Sequence, residues 1–192
     1  LGILTSNVLD AAGRVVSTFR KGTDNTYVVL QQNFYDTAGR LTRSVNGLGG
    51  NTRFGEMIDP VIGNTIKAMT NADGGFRIET YYFDGQLAKV TGSASFPVRF
   101  EYGIESEDFL NFQITTEIKL NHDATDSAER TTTYSDAVGR SFKTAYAGAA
   151  NPRQSFFNVK GQLTKESDPD GVISLYQYNA LGELAYTAID SN

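Results

Sequence analysis

Carboxylates are the groups with which this sequence could do chemistry, since thiols are absent and imidazole is almost so. Asp36, Asp84 and Asp136 recur in similar contexts, and Asp168 and Asp170 stand two apart in Asp168-Pro169-Asp170-Gly171. Hard oxygen ligands in such an array suit calcium, but calcium takes about 6–8 oxygens and no fuller ligand pattern follows. Turn capping predicts the same recurrence for Asp36 and Asp136, which leaves Asp168 and Asp170 as the metal candidates. The only histidine, His122, has Asp123 and Ser127 close by, a hydrolase triad in composition alone. Triads are assembled in space, and no strand–Ser–helix elbow is present to present the nucleophile. Glu105, Glu107 and Asp108 could supply the paired carboxylates of a glycosidase; clustered in a polar stretch, they read as wet surface. Gly47-Leu48-Gly49-Gly50 lacks the Lys-Ser/Thr of a phosphate loop. Nothing here calls for a cofactor, and the chain does not read as an enzyme.

The composition agrees. The 192 residues contain no Cys and no Trp, which excludes disulfide scaffolds, zinc ribbons and thiol catalysis. Gly 19, Tyr 10 and Phe 12 suit many short strands joined by glycine turns. A net charge of −5 argues against a nucleic-acid partner, which would need a basic surface. No segment approaches the roughly 18–20 apolar residues of a membrane helix. The first residues, Leu1 to Ser6, lack an initiating Met and a basic n-region. They are read as the interior of a longer chain.

What must position the carboxylates is a repeat. The unit Phe34-Tyr35-Asp36-Thr37-Ala38-Gly39-Arg40-Leu41 recurs as Tyr134-Ser135-Asp136-Ala137-Val138-Gly139-Arg140 and as Val8-Leu9-Asp10-Ala11-Ala12-Gly13-Arg14. Looser copies surround Phe157 with Gly161 and Tyr178 with Gly182. Ile58 to Asn64 keeps the spacing without the aromatic, and Phe83-Asp84-Gly85 keeps the aromatic without the two middle residues. The anchoring glycines are Gly13, Gly39, Gly63, Gly85, Gly139, Gly161 and Gly182, at gaps of 26, 24, 22, 54, 22 and 21. The doubled gap predicts one degenerate or displaced unit between 86 and 138. Physically, an aromatic (Tyr35, Phe83, Tyr134, Phe157, Tyr178) ends a strand, and Asp or Asn opens a turn by accepting from backbone N–H groups just ahead. Gly then takes the left-handed conformation that closes a type I turn with a bulge.

Between turns the residues alternate. Val98, Phe100 and Tyr102 alternate with Arg99 and Glu101, while Ile114, Thr116, Ile118 and Leu120 alternate with Thr115, Glu117 and Lys119. This predicts antiparallel strands with one buried and one wet face. Asp-Gly at 73–74 and 170–171 falls eleven residues before an anchoring glycine, so each repeat is a hairpin with a turn at both ends. A helix is suggested only around Glu105 to Phe112. Residues 101–129 hold eight acidic side chains and one basic, Lys119, for a net of −7. The chain is therefore read as one continuous repeat domain, with hairpin repeats over 1–100, an acidic insertion or degenerate repeat over 101–130 that projects from the sheet, and hairpin repeats over 131–192. The insertion's acidity aids solubility or meets a basic partner.

The unit Tyr35-Asp36-Thr37-Ala38-Gly39-Arg40-Leu41 resembles the YD-repeat of the Rhs family, whose relatives include bacterial Rhs toxins, shell components of Tc toxin complexes, and teneurins. The resemblance runs from about residue 8 to 190. It implies an all-β fold of antiparallel hairpin repeats in a curved or spiralling open sheet, an arc of a shell that encloses a C-terminal toxin polypeptide. The self-cleavage segment and toxin domain of complete members are not recognisable here. The implied partners are other YD repeats of the parent chain and an enclosed toxin polypeptide, with secretion or cell-surface display. A segment of such a sheet exposes edge strands, so edge-to-edge association is expected. The alternative function is a cell-surface recognition module that binds glycan or protein.

Overall fold

A computed structural model describes residues 3–107 and 110–190. The strands of the first half are β1 (Thr5–Leu9), β2 (Val15–Lys21), β3 (Tyr27–Tyr35), β4 (Leu41–Asn46), β5 (Asn51–Ile58), β6 (Thr65–Thr70), β7 (Phe76–Tyr81) and β8 (Leu87–Thr91). Those of the second are β9 (Val98–Glu107), β10 (Leu110–Leu120), β11 (Asp126–Ser135), β12 (Ser141–Tyr146), β13 (Arg153–Phe157), β14 (Leu163–Ser167), β15 (Ile173–Tyr178) and β16 (Leu184–Asp190). The chain forms two units, Leu1–Pro97 and Val98–Asn192. In each, successive strands pair antiparallel with their sequence neighbours, so each unit is an open meander with turns alternating between its two edges.

All seven anchoring glycines take positive φ, between 75° and 86°. Six of them, all but Gly63, close a turn of one frame: Asp36 N donates to Arg40 O at 2.9 Å and Gly39 N to Asp36 O at 3.0 Å. The ladder slips by one residue where the frame begins, between Phe34 and Tyr35. The same frame recurs on the opposite edge, at Asn46–Gly49, Asn71–Gly74 and Asp168–Gly171. It also recurs twice without glycine: Asn25 at φ 65° and Ala124 at φ 64° occupy the left-handed position. Asparagine tolerates that region; alanine is strained there by about 1–2 kcal/mol. Ala124→Gly is therefore expected to stabilise the protein by about 0.5–1 kcal/mol after glycine's extra entropy loss, measured by chemical denaturation. An unchanged or lower midpoint would contradict a strained Ala124.

Two expectations need correction. The stretch Glu105 to Phe112 is strand on both sides rather than helix: Glu105 stands opposite Phe112 and Glu107 opposite Leu110 as β9 and β10 converge, with Asp108 and Phe109 outside the described residues. Cross-strand hydrogen bonding over ten residues outweighs the weak local preference of a short polar run. The long β9–β10 hairpin fills the doubled gap, and Glu101, Glu105, Glu107 and Glu117 of the acidic stretch lie within these two paired strands.

Alternation gives β10 a buried side, where Ile118 and Leu120 alternate with exposed Glu117 and Lys119, but that side does not continue across β9. Ile118 stands opposite Arg99, and Phe100 opposite Glu117, so the apolar side of β9 is the polar side of β10. Among the described residues only Ala88, Val90, Ile118 and Leu120 are buried hydrophobics, at 4–8% exposure. The accessible surface is 13396 Å². Two separate compact domains of half this mass would expose about 10,800 Å² together.

Candidate functional site

The repeated turns concentrate the side-chain chemistry of the molecule. Asp36 Oδ1 accepts from Ala38 N and from Arg40 N, each at 2.9 Å, and Oδ2 accepts from Arg40 Nε at 2.8 Å. Asp10 with Arg14, and Asp136 with Arg140, repeat these bonds. Asn158 and Asn179 keep the backbone bonds and substitute Gln162 and Glu183 for the arginine. The local cause is plain: an Asx side chain two and four residues before a free N–H is at the right distance to accept from both.

These bonds hold the carboxyls of Asp10, Asp36 and Asp136 below the usual carboxylate range; the largest cause in each is the backbone N–H of Arg14, Arg40 or Arg140. A carboxyl depressed in the folded state stabilises above its unfolded value, near 4, and loses that contribution as pH falls through the lower folded value. The thermal midpoint should thus stay level from about pH 7 to 5 and fall below about pH 4, less steeply in Asp36→Asn. A midpoint that declines already between pH 7 and 5 would assign the acid sensitivity elsewhere.

Successive turns on this edge are also tied to one another. The Arg14 guanidinium lies 4.5 Å from the centre of the Tyr35 ring, and a Cβ on Gly39 would come within 2.9 Å of Arg14 Nη1. Tyr35 Oη donates back to Val15 O at 3.0 Å. In the second unit Arg140 covers Phe157 at 5.0 Å, Gln162 Nε2 donates to Gly182 O at 2.9 Å, and Tyr178 Oη donates to Leu163 O at 2.9 Å. The residue after Gly13, Gly139 or Gly161 reaches forward to the next turn, and in two of the three a tyrosine before that turn's Asx reaches back. Tyr35→Phe and Tyr178→Phe should each cost about 0.5–1.5 kcal/mol, the net worth of one hydrogen bond, because Phe157 shows that the bare ring fits. Equal stability in both variants would remove the hydroxyl link.

A second relation escaped the sequence reading. The residue two before the turn carries an aromatic whose cross-strand partner is a cation: Arg43 over Phe34 at 3.7 Å, Lys143 over Tyr134 at 4.5 Å and Lys165 over Phe156 at 5.3 Å. Tyr134 therefore occupies the position of Phe34, and Ser135 that of Tyr35. Phe83 is not at a strand end. Aligned on Gly85, β7 ends at Tyr81 and the turn is Tyr82–Gly85, which leaves Phe83 at its tip, 91% exposed. Asp84 is displaced likewise and caps Gln86 N at 3.0 Å. Around Gly63 the turn is one residue longer, from Asp59 N to Asn64 O.

The remaining carboxylates have local tasks. Asp168 Oδ1 accepts from Asp170 N and Val172 N, and no group of three His, Cys, Asp or Glu able to hold a metal occurs among the described residues. Asp123 accepts from the Thr125 backbone and hydroxyl, while Ser127 Oγ accepts from Glu129 N. His122 lies in the turn between β10 and β11. Within the acidic stretch Arg99 pairs with Glu101 and Asp126, and Lys119 with Glu129. Asn46 caps the Gly47–Gly50 turn through Leu48 N and Gly50 N.

A groove of about 680 Å³ lies in the first unit, with Phe54 and Met69 among Glu56, Lys67, Arg77 and Glu79. Its charges are largely spent on each other. Arg77 Nη2 pairs with Glu79 at 2.7 Å, Tyr81 Oη donates to Glu79 at 2.7 Å, and Lys67 sits 5.2 Å above the Tyr81 ring. The Tyr81 hydrogen bond, helped by Arg77, holds the Glu79 carboxyl below its usual range against the penalty of burial.

Residues 157–192 match the model of the RHS repeat. Among solved structures the chain is similar to a Tc holotoxin pore of Photorhabdus luminescens, at 11% identity and a TM-score of 0.38, over 97% of this chain and 12% of that one. It is likewise similar to a TcdB2-TccC3 crystal structure, at 14% identity and a TM-score of 0.43, over 97% of this chain and 12% of that one. The chain thus spans about an eighth of the length of either structure. No curated protein matches the sequence. No helix among the described residues is long and apolar enough to cross a membrane.

Proposed function

We propose that this chain, which carries an RHS repeat at 157–192, is a structural segment of a YD-repeat β-shell that encloses or presents a toxin or other C-terminal cargo outside the producing cell. The observation that carries the reading is the surface excess. With 13396 Å² exposed and four buried hydrophobics among the described residues, the described part of neither unit encloses a core of its own, so its apolar groups need covering by neighbouring repeats or cargo. Turn tips repeat the point: Val61 and Phe83 in the first unit, and Val138, Val159 and Leu181 in the second, are all at least 75% exposed. Every residue of β1 and of β16 is exposed, which leaves both outer strands open to pairing.

The role is mechanical. Hairpins add strand by strand, and three pairs of successive turns lock together through the Arg or Gln reach, two of them with a tyrosine return. A recognition module for glycan or protein is the second reading, favoured by the groove beside Phe54. Limited proteolysis separates the two. In a polypeptide containing this chain with its flanking sequence, the segment after the repeats should resist protease while the free segment is digested. Digestion at the free rate would overturn enclosure, and specific retention on a glycan array would favour recognition.

A further inference from the structure

On the face of the first unit opposite Glu56 and Glu79, Arg43 of β4 stands directly across from Arg53 of β5. Like charges in such a pair repel. Neither arginine pairs with a carboxylate among the described residues; Arg43, half-buried, is stacked on Phe34, and Arg53 is exposed. The row continues on the same face through Phe34 on one side, and through Thr70 and Phe76 on the other. Two positions along the strands lie Leu41, Val45, Asn51 and Gly55, none of them acidic. Asn51 also holds a buried Oδ1 without a hydrogen-bond partner. Elsewhere in this unit the arginines of the turns and groove, Arg14, Arg40 and Arg77, are each matched to an acid.

We infer that the Arg43–Arg53 pair is a docking site for an extended acidic segment of a partner polypeptide, with carboxylates at alternate positions. Opposed side chains stand about 5 Å apart, so one carboxylate can receive both guanidinium forks. Alternate residues of an extended strand lie about 6.6 Å apart, which brings a second carboxylate to the rim of the pair. The net charge of −5 opposes a long polyanion such as nucleic acid, whereas a short peptide with two carboxylates meets mainly the local positive field. The inference does not depend on enclosure of cargo.

The probe is a capped hexapeptide alternating glutamate with valine, compared with its glutamine counterpart and with inorganic phosphate, titrated into the whole chain by calorimetry. The glutamate peptide should bind at least tenfold more tightly than the glutamine peptide and weaken as salt rises. The double variant Arg43→Gln, Arg53→Gln should lose at least tenfold, and Arg20→Gln, in β2, should leave binding unchanged. Arg53→Gln alone should keep or raise the thermal midpoint, so lost binding is not lost folding. Equal binding of the two peptides, no effect of the double variant, or phosphate binding as tight as the glutamate peptide would each overturn the site. So would self-association abolished by the double variant, which would make a second copy the occupant.

Discussion

Gly92→Ala is expected to be among the most damaging single-atom changes in this protein, costing about 3 kcal/mol or more. Gly92 has φ +127°, and a Cβ there would fall 2.1 Å from Phe76 O, 2.8 Å from Phe76 C and 2.9 Å from Arg77 Cα. All three are backbone atoms, so no side chain can swing aside. Phe76 O also accepts from Ala94 N at 2.9 Å, so displacing it loses a hydrogen bond as well. A fitting comparison is Gly85→Ala, at φ +86° with nothing within 4 Å, where the cost should be only about 1 kcal/mol. Denaturant midpoints of the two variants decide the matter. If Gly92→Ala loses no more than Gly85→Ala, the close approach to Phe76 is wrong.

Gly139→Val should cost about 2–3 kcal/mol from backbone strain alone, since φ is +81° and no atom lies within 4 Å of its Cβ position. Gly39→Val, at φ +83°, adds the Arg14 guanidinium at 2.9 Å. Because that neighbour is the end of a flexible side chain, the extra cost is the loosened stacking on Tyr35 rather than a rigid clash. Gly139→Asn should recover much of the loss, as asparagine tolerates the left-handed region. A loss under about 0.5 kcal/mol for valine at both sites would refute the turn assignment.

These two variants mark the boundary of what was legible beforehand. Gly139 was found from its place in Asp136-Ala137-Val138-Gly139-Arg140, because the turn is made by atoms no more than four residues apart. The turns at Asn25 and Ala124 use the same frame without glycine, so the glycine spacing gives no sign of them. Phe83 was misplaced for a related reason: with the spacing shortened by two residues, the backbone kept the four-residue turn and let the aromatic slip to its tip. The helix expected at Glu105 to Phe112 rested on a short acidic run with little local preference, and pairing between β9 and β10 overrode it. Gly92 carried no local signal, because its constraint comes from Phe76, sixteen residues away.

Local order in the chain was thus enough for the all-β class, the antiparallel hairpins, and the capping of each turn by Asp10, Asp36, Asp136, Asn158 or Asn179. Those features depend on interactions within a few residues, where sequence distance and spatial distance coincide. Contacts between strands were decided by the register each hairpin adopts. A shift of one residue would send every side chain to the other face. That register set Arg43 against Arg53, brought Arg14 onto Tyr35, and put the apolar residues of β9 and β10 on opposite faces. It is also why the buried side of β10 does not extend into one continuous apolar face with β9.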